Sequence, residues 1–254
     1  MSGTIYACTS TAVLAQQLRD LVVRAQDQAL QSHDRFTVAI SGGSLPRTLA
    51  QGLLAQPEGL HWSKWHVFYA DERCVPLDDA ESNHRLVQAE LLDHVPIPRA
   101  QVYTLNPALV TNPEEAANDY EKQMTDVFAH KDAVRLPVFD LILLGMGPDG
   151  HTCSLFPGHP LLDEKERWVS YLQDSPKPPP TRITLTLPVV NHARRAVFVV
   201  IGSNKQDALA RIFDHKEPLP AQRVQLVHGE LVWLMDEAAA SAIQRAPIAR
   251  LVEN

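Results

Sequence analysis

Apolar positions along the chain fall into two kinds of run. Between Thr11 and Leu30, the residues Val13, Leu14, Leu18, Leu21, Val22, Ala25 and Ala29 recur at the three-four spacing of a helix with one apolar face. Phe36-Thr37-Val38-Ala39-Ile40-Ser41 is instead short and almost continuously apolar, as expected of a buried strand. Gly42-Gly43-Ser44 follows it. A helix then begins, with Pro46 in its first turn and Leu45, Leu49 and Leu53 along one face.

The alternation continues. Trp65-His66-Val67-Phe68-Tyr69-Ala70 reads as a second strand running straight into Asp71-Glu72-Arg73. Residues Asn83 to Leu92 fit a helix closed by Pro96 and Pro98, and Asn112-Pro113-Glu114-Glu115 has the cap, proline and acid of a helix start. Phe139-Asp140-Leu141-Ile142-Leu143-Leu144 is the strongest strand signal. A run this apolar predicts a central strand covered on both faces. Gly145-Met146-Gly147-Pro148-Asp149-Gly150-His151 follows its C-terminal end.

Further on, the three consecutive prolines that end Ser175-Pro176-Lys177-Pro178-Pro179-Pro180 force a loop, because proline has no N–H for a ladder. Ile183-Thr184-Leu185-Thr186-Leu187 alternates, and Ala196-Val197-Phe198-Val199-Val200-Ile201 predicts another buried strand. Ser203-Asn204-Lys205-Gln206 has the spacing of a capping box for a helix through Phe213. Leu231-Val232-Trp233-Leu234-Met235 reads as the last strand, before Asp236 and an alanine-rich helix. Strands alternating with helices predict an α/β fold: a mostly parallel open sheet with helices on both faces, formed by residues 1–254 as one domain.

Composition narrows the function. The chain has 254 residues and a formal net charge of −7, so an acidic surface disfavours nucleic-acid phosphates as partners. A local basic pocket still allows an anionic small molecule. The three cysteines, Cys8, Cys74 and Cys153, lack paired spacing, which argues against a disulfide framework or a structural zinc site. No stretch reaches the roughly 20 apolar residues that cross a bilayer, and the first residues lack a basic, apolar leader pattern. The expected location is the cytoplasm, with no membrane, nucleic acid or obligate protein partner, and no cofactor or metal.

Four segments have candidate chemistry. In Ser41-Gly42-Gly43-Ser44, glycines let a ligand approach the backbone where a helix N-terminus offers free N–H groups, although a bare strand-to-helix turn looks the same. It is neither a Walker motif nor a complete dinucleotide fingerprint. Asp71-Glu72-Arg73 stands where open α/β sheets bind ligands, so Arg73 could meet a phosphate or an oxyanion; a solvated charge cluster is the alternative. Asp149 and His151 stand two apart in a glycine-rich loop. An imidazole there suits general-base work on water, with Asp149 orienting it, unless the histidine merely caps a helix or packs on Phe156. Lys177 and Arg182 flank the proline run as cations that either bind phosphate or face solvent. His61 and His66 beside tryptophans look structural, and His159 after Gly158 fits a turn.

Taken in order, these segments resemble the 6-phosphogluconolactonase family of the pentose phosphate pathway. The resemblance rests on Ser41 to Ser44, Asp71-Glu72-Arg73 with Glu81-Ser82-Asn83, the block from Gly147 to Pro157, and Asp174 to Arg182, and it spans nearly the whole chain. It implies a doubly wound, NagB-like fold shared with glucosamine-6-phosphate deaminases and isomerases, and metal-independent hydrolysis of a sugar-phosphate lactone. It further implies His151 as general base, Asp149 as its companion, Arg73 beside the substrate's charge, and Gly42, Gly43, Ser44, Asp71, Lys177 and Arg182 lining the substrate site. In the deaminases a phenylalanine-asparagine-glutamate-proline run follows the histidine. Here Thr152-Cys153-Ser154-Leu155-Phe156-Pro157 stands in its place, without the acid expected for amine chemistry. A deaminase is therefore the second reading, and a non-catalytic sugar-phosphate sensor a third.

Overall fold

The computed structural model describes residues 3–129 and 134–253. In chain order the main elements are β1 (Thr4–Cys8), α1 (Thr11–Ser32), β2 (Phe36–Ile40), α2 (Leu45–Ala55), β3 (Trp65–Tyr69), β4 (Asp71–Arg73), α3 (Asn83–Glu90), α4 (Pro113–Phe128) and β5 (Leu141–Leu144). These are followed by β6 (Val169–Leu172), β7 (Arg182–Leu185), α5 (Leu187–Asn191), β8 (Arg195–Val200), α6 (Gln206–Phe213), β9 (Glu230–Asp236), α7 (Glu237–Ala240) and β10 (Ala249–Leu251).

Seven strands form one parallel sheet in the order β10-β1-β9-β8-β5-β2-β3. Successive side chains in a strand point to opposite faces, and the apolar runs are continuous because both faces are covered. Val38, Ile40, Leu141 and Leu143 pack with Leu14, Leu18, Leu49 and Leu53 of α1 and α2 on one face. Ala39, Ile142, Leu144 and Phe198 pack with Tyr120 and Met124 of α4 and with Leu209 of α6 on the other. The buried Asp140 accepts from both the backbone N–H (2.9 Å) and the hydroxyl (2.8 Å) of Thr37, which ties the start of β2 to β5.

The expectation of a mostly parallel sheet omits a second, antiparallel sheet of order β4-β7-β6. Asp71-Glu72-Arg73 is a strand of that sheet, paired with Thr184, Ile183 and Arg182. Ile183 and Leu185 pack into the same core cluster as Phe68 and Ile142, so the small sheet lies against the face of the large one. The Glu72 side chain is buried and accepts from the N–H groups of Arg73 (2.7 Å), Asn83 (2.8 Å) and His84 (2.8 Å), binding the start of α3 to β4. Burial pushes its carboxyl up to about 7, against the pull of those donors.

Several expected boundaries move. The predicted capping box at Ser203 does not form: Ser203–Lys205 is a turn of 3-10 helix without a side-chain cap, entered from Gly202 at φ 98°. Asp236 accepts from the Gly202 N–H instead. The helix expected to run to Leu92 ends at Glu90, and Leu92–His94 is 3-10 helix. The alternating run expected to reach Leu187 stops at Leu185, and Leu187 opens α5. The strand at Leu231–Met235 is not the last, because β10 follows and pairs with β1. Asn112 caps α4 as expected, its side chain accepting from the Glu115 N–H. No helix among the described residues is long and apolar enough to cross a membrane.

Candidate active site

The two chain connections that leave the middle of the sheet part at the carboxyl ends of β2 and β5. Helix α2 covers one face and the chain after β5 covers the other, the arrangement that opens a crevice in α/β sheets. A cleft of about 760 Å³ lies there. Its lining includes Gly42, Gly43 and Ser44 after β2, Asp71 and Arg73 of β4, and His151, Lys177 and Arg182. All the residues expected at the site except Asp149 line it directly, and Asp149 reaches it through His151.

The turn after β2 has a specific reason for its glycines. Gly43 has φ 75°, and a Cβ on Gly42 would overlap the Asn83 amide. Ser44 precedes α2 without using its hydroxyl as a cap, and its side chain is exposed. Gly43, Ser44 and Leu45 line the cleft at the α2 N-terminus, where the first N–H groups of a helix have no partner within it.

The loop after β5 folds back on itself. The Gly150 N–H donates to the Gly147 carbonyl and the Gly147 N–H to the His151 carbonyl. This places His151 Nδ1 2.5 Å from Asp149 Oδ1. The histidine ring packs at 4.6 Å on Phe156. Packing on Phe156 and pairing with Asp149 are thus both true of His151. The Lys177 Nζ lies 3.5 Å from Asp149 Oδ1 and 3.4 Å from His151 Nδ1. Partial burial would raise the Asp149 pKa, but the His151 hydrogen bond and charge and the Lys177 ammonium outweigh it. They hold the carboxyl well below the usual carboxylate range. An ionised Asp149 can only accept, so the Nδ1 it faces carries the hydrogen. In the neutral ring Nε2 is then the lone-pair nitrogen, and no described residue hydrogen-bonds to it.

Gly147 is part of this geometry, because a Cβ there would overlap both the His151 ring and the Asp149 carboxylate. Gly147→Ala is expected to push the imidazole aside and lower kcat by roughly 100-fold, the cost of misplacing a reacting group by about an ångström. Steady-state kinetics checks this; unchanged kcat would mean that the ring does not need its observed position.

The remaining expected residues differ in their bonding. Asp71 is buried, with Oδ2 accepting from the Ser154 hydroxyl at 2.7 Å, so it braces the histidine loop. Arg73 donates from Nη1 to the Glu81 carbonyl at 2.7 Å, while its buried Nε has no partner among the described residues. The buried Ser41 hydroxyl is likewise unpartnered there. Arg182 lines the cleft but is buried and bonded to backbone carbonyls, so it is not the exposed cation that its position allows. Cys153, at φ 50°, lines the cleft, but burial first and Asp71 second push its thiol pKa up, so it stays protonated and poorly nucleophilic. His159 caps the 3-10 turn Pro160–Asp163. His66 meets the Tyr103 hydroxyl at 2.9 Å, a structural contact.

Sequence reasoning missed Lys205, which also lines the cleft. Burial lowers its pKa most, and the nearby Lys177 charge lowers it further, against Asp149. Its position just beyond the end of β8 was the available signal, since ligands gather past strand C-termini. Among the described residues, no three His, Cys, Asp or Glu side chains converge in a way that could hold a metal ion.

Comparison with known proteins agrees with this architecture. A human protein named 6-phosphogluconolactonase is 48% identical over 244 residues, covering 94% of this chain and 93% of its own. The structure of 6-phosphogluconolactonase from Trypanosoma cruzi superposes with a TM-score of 0.83 at 29% identity, covering 94% of this chain and 96% of that one. A monomeric glucosamine-6-phosphate deaminase of the NagB superfamily, 19% identical, shares the fold with a TM-score of 0.76 over 94% of this chain and 99% of that one. The family model for glucosamine-6-phosphate isomerases/6-phosphogluconolactonase matches residues 9–233. With so much of its length matched, the chain belongs to the glucosamine-6-phosphate isomerase/6-phosphogluconolactonase family.

Proposed function

We propose that the chain hydrolyses 6-phospho-D-glucono-1,5-lactone to 6-phosphogluconate in the oxidative pentose phosphate pathway, with His151 as general base. The observation that carries this reading is the Asp149–His151 pair at 2.5 Å, with an unengaged Nε2 beside a cleft that gathers cations. The names of the relatives give the substrate.

In this mechanism the α2 N-terminus, the Gly42-Gly43-Ser44 turn, Lys177 and Lys205 hold the phosphate. Two ammonium groups in each other's field are stabilised by an anion between them, which supports pairing these two lysines at the anionic end. The anchored phosphate fixes the lactone carbonyl near His151. Nε2 removes a proton from water as the oxygen attacks the carbonyl carbon. Arg73, whose side chain lines the cleft, stabilises the tetrahedral oxyanion. The imidazolium returns its proton to the ring oxygen as the C–O bond breaks. The carboxylate of Asp149 stabilises the imidazolium between the two transfers.

The small sheet supplies Arg73 of β4 and, beside β7, the Lys177 loop. Both line a cleft built by the large sheet, which supports a single functional domain. Three free cysteines suit a reducing compartment, in keeping with the cytoplasm.

The test is acid release from freshly generated lactone, corrected for spontaneous hydrolysis, beside ammonia release from glucosamine 6-phosphate. Acceleration of the first alone is expected; ammonia release without lactone hydrolysis would make the chain a deaminase. Lys205→Ala is expected to raise KM roughly 10- to 100-fold, the cost of a lost charged hydrogen bond, with kcat little changed. Inhibition by inorganic phosphate should weaken in parallel. An unchanged KM would remove Lys205 from the phosphate site.

A further inference from the structure

The proline loop poses a bonding problem that its own backbone cannot solve. Pro176, Pro178, Pro179 and Pro180 contribute carbonyl acceptors and no N–H donors. Three successive carbonyls of this loop receive their hydrogen bonds from one side chain. The Arg182 Nη2 donates to the carbonyls of Lys177 (2.9 Å) and Pro178 (3.1 Å), and its Nε donates to that of Pro179 (2.9 Å). Its Nη1 reaches the Ser154 hydroxyl at 3.5 Å, and that hydroxyl donates to Asp71. A guanidinium has five N–H donors; these bonds use four, leaving one on Nη1.

Arg182 also lies 5.7 Å over the Phe156 ring, on which His151 packs. The side chain is buried at 3% exposure, so it is a fixed part of the interior and not a mobile arm. Its guanidinium lies between the loop that carries Lys177 and the loop that carries His151. The Lys177 carbonyl is further held by the Ser175 hydroxyl at 2.8 Å.

We infer that Arg182 is a positioning residue, a strap that binds the donor-poor loop through its carbonyls and so sets where the Lys177 ammonium stands, and that it is not itself a phosphate ligand. This rests on Lys177 holding the phosphate. A lysine cannot replace the arginine, because one ammonium on a flexible stem cannot match the fork spanning these acceptors.

A double-mutant cycle tests the inference. Arg182→Lys alone should raise KM by up to about 100-fold, as expected for a charged group displaced by about an ångström. Lys177→Ala alone should do the same, and inhibition by inorganic phosphate should weaken in both. In the Lys177→Ala background, Arg182→Lys should cost nothing further, because the group it positions is already gone. Losses that multiply would show a direct Arg182 contact and overturn the strap while leaving Lys177 as a ligand. A Lys177→Ala variant with unchanged KM would overturn both.

Ser175→Ala supplies a milder second arm in case Arg182→Lys folds poorly. Ser175 does not line the cleft, yet it holds the same carbonyl. The strap predicts a smaller rise in KM that also disappears in the Lys177→Ala background. A rise that persists there would contradict it.

Discussion

Replacing His151 with alanine is expected to lower kcat for the lactone by roughly 10²–10⁴-fold, the usual contribution of a positioned general base. The imidazole is the only group in the loop with a free basic nitrogen at the cleft, because Asp149 is held ionised by its neighbours and the Cys153 thiol is held protonated by burial. Binding should survive, since of the cleft cations only Lys177 lies against His151, at 3.4 Å from Nδ1, and Lys205 and the α2 N-terminus remain. The affinity for 6-phosphogluconate should therefore stay near that of the parent while turnover collapses. Stability should change by about 1 kcal/mol or less, because the ring is partly exposed and its main packing contact is Phe156. Rates with fresh lactone, product titration and a thermal melt check the three parts. Near-normal turnover in a folded variant would remove the histidine from the chemistry.

Asp149→Asn is the second large effect. The amide is nearly the same shape, but it can present a donor to Nδ1 and so favour the wrong tautomer, with the hydrogen on Nε2. A loss in kcat of up to about 10⁴-fold is known for this change in a serine-protease triad. Here roughly 10²–10³-fold is expected, because the carboxylate supports one base and not an additional nucleophile. The same group links pH to stability. Its folded pKa lies below that of a free carboxyl at about 3.9, so its ionised form stabilises the fold fully above that value. The contribution disappears as pH falls through the folded value. The melting-temperature gap between parent and Asp149→Asn should thus be present at pH 7 and shrink in strong acid. A gap that widened on acidification would reverse the sign and contradict the pairing.

How far the sequence could be read depended on where each residue's partners lie. Strands β2, β3, β5, β8 and β9 were readable because burial on both faces leaves long apolar runs, and Asp149 with His151 because two neighbours in one tight loop meet locally. Strand β4 was hidden by its three charged residues. Its strand character depends on pairing with β7 and on the N–H groups that receive Glu72, none of them adjacent in sequence. The short strands β6 and β10 carried too few residues for a pattern. The capping box at Ser203 does not form because the Gln206 N–H, which the Ser203 hydroxyl would receive, donates to the Ser203 carbonyl in a 3-10 turn. For Arg182 the sequence leaves a phosphate ligand and an exposed cation both open. Its burial against proline carbonyls is a tertiary fact that composition cannot show.

Whether His151 can act as a base depends on which nitrogen of its imidazole is bare. Nitrogen-15 NMR of the His151 side chain, at a pH where the protein turns over lactone, measures this directly. The expected result is a neutral ring with its hydrogen on Nδ1, shared with Asp149, and an unprotonated Nε2. A hydrogen found on Nε2 in the working enzyme would leave no base facing the substrate and would contradict it.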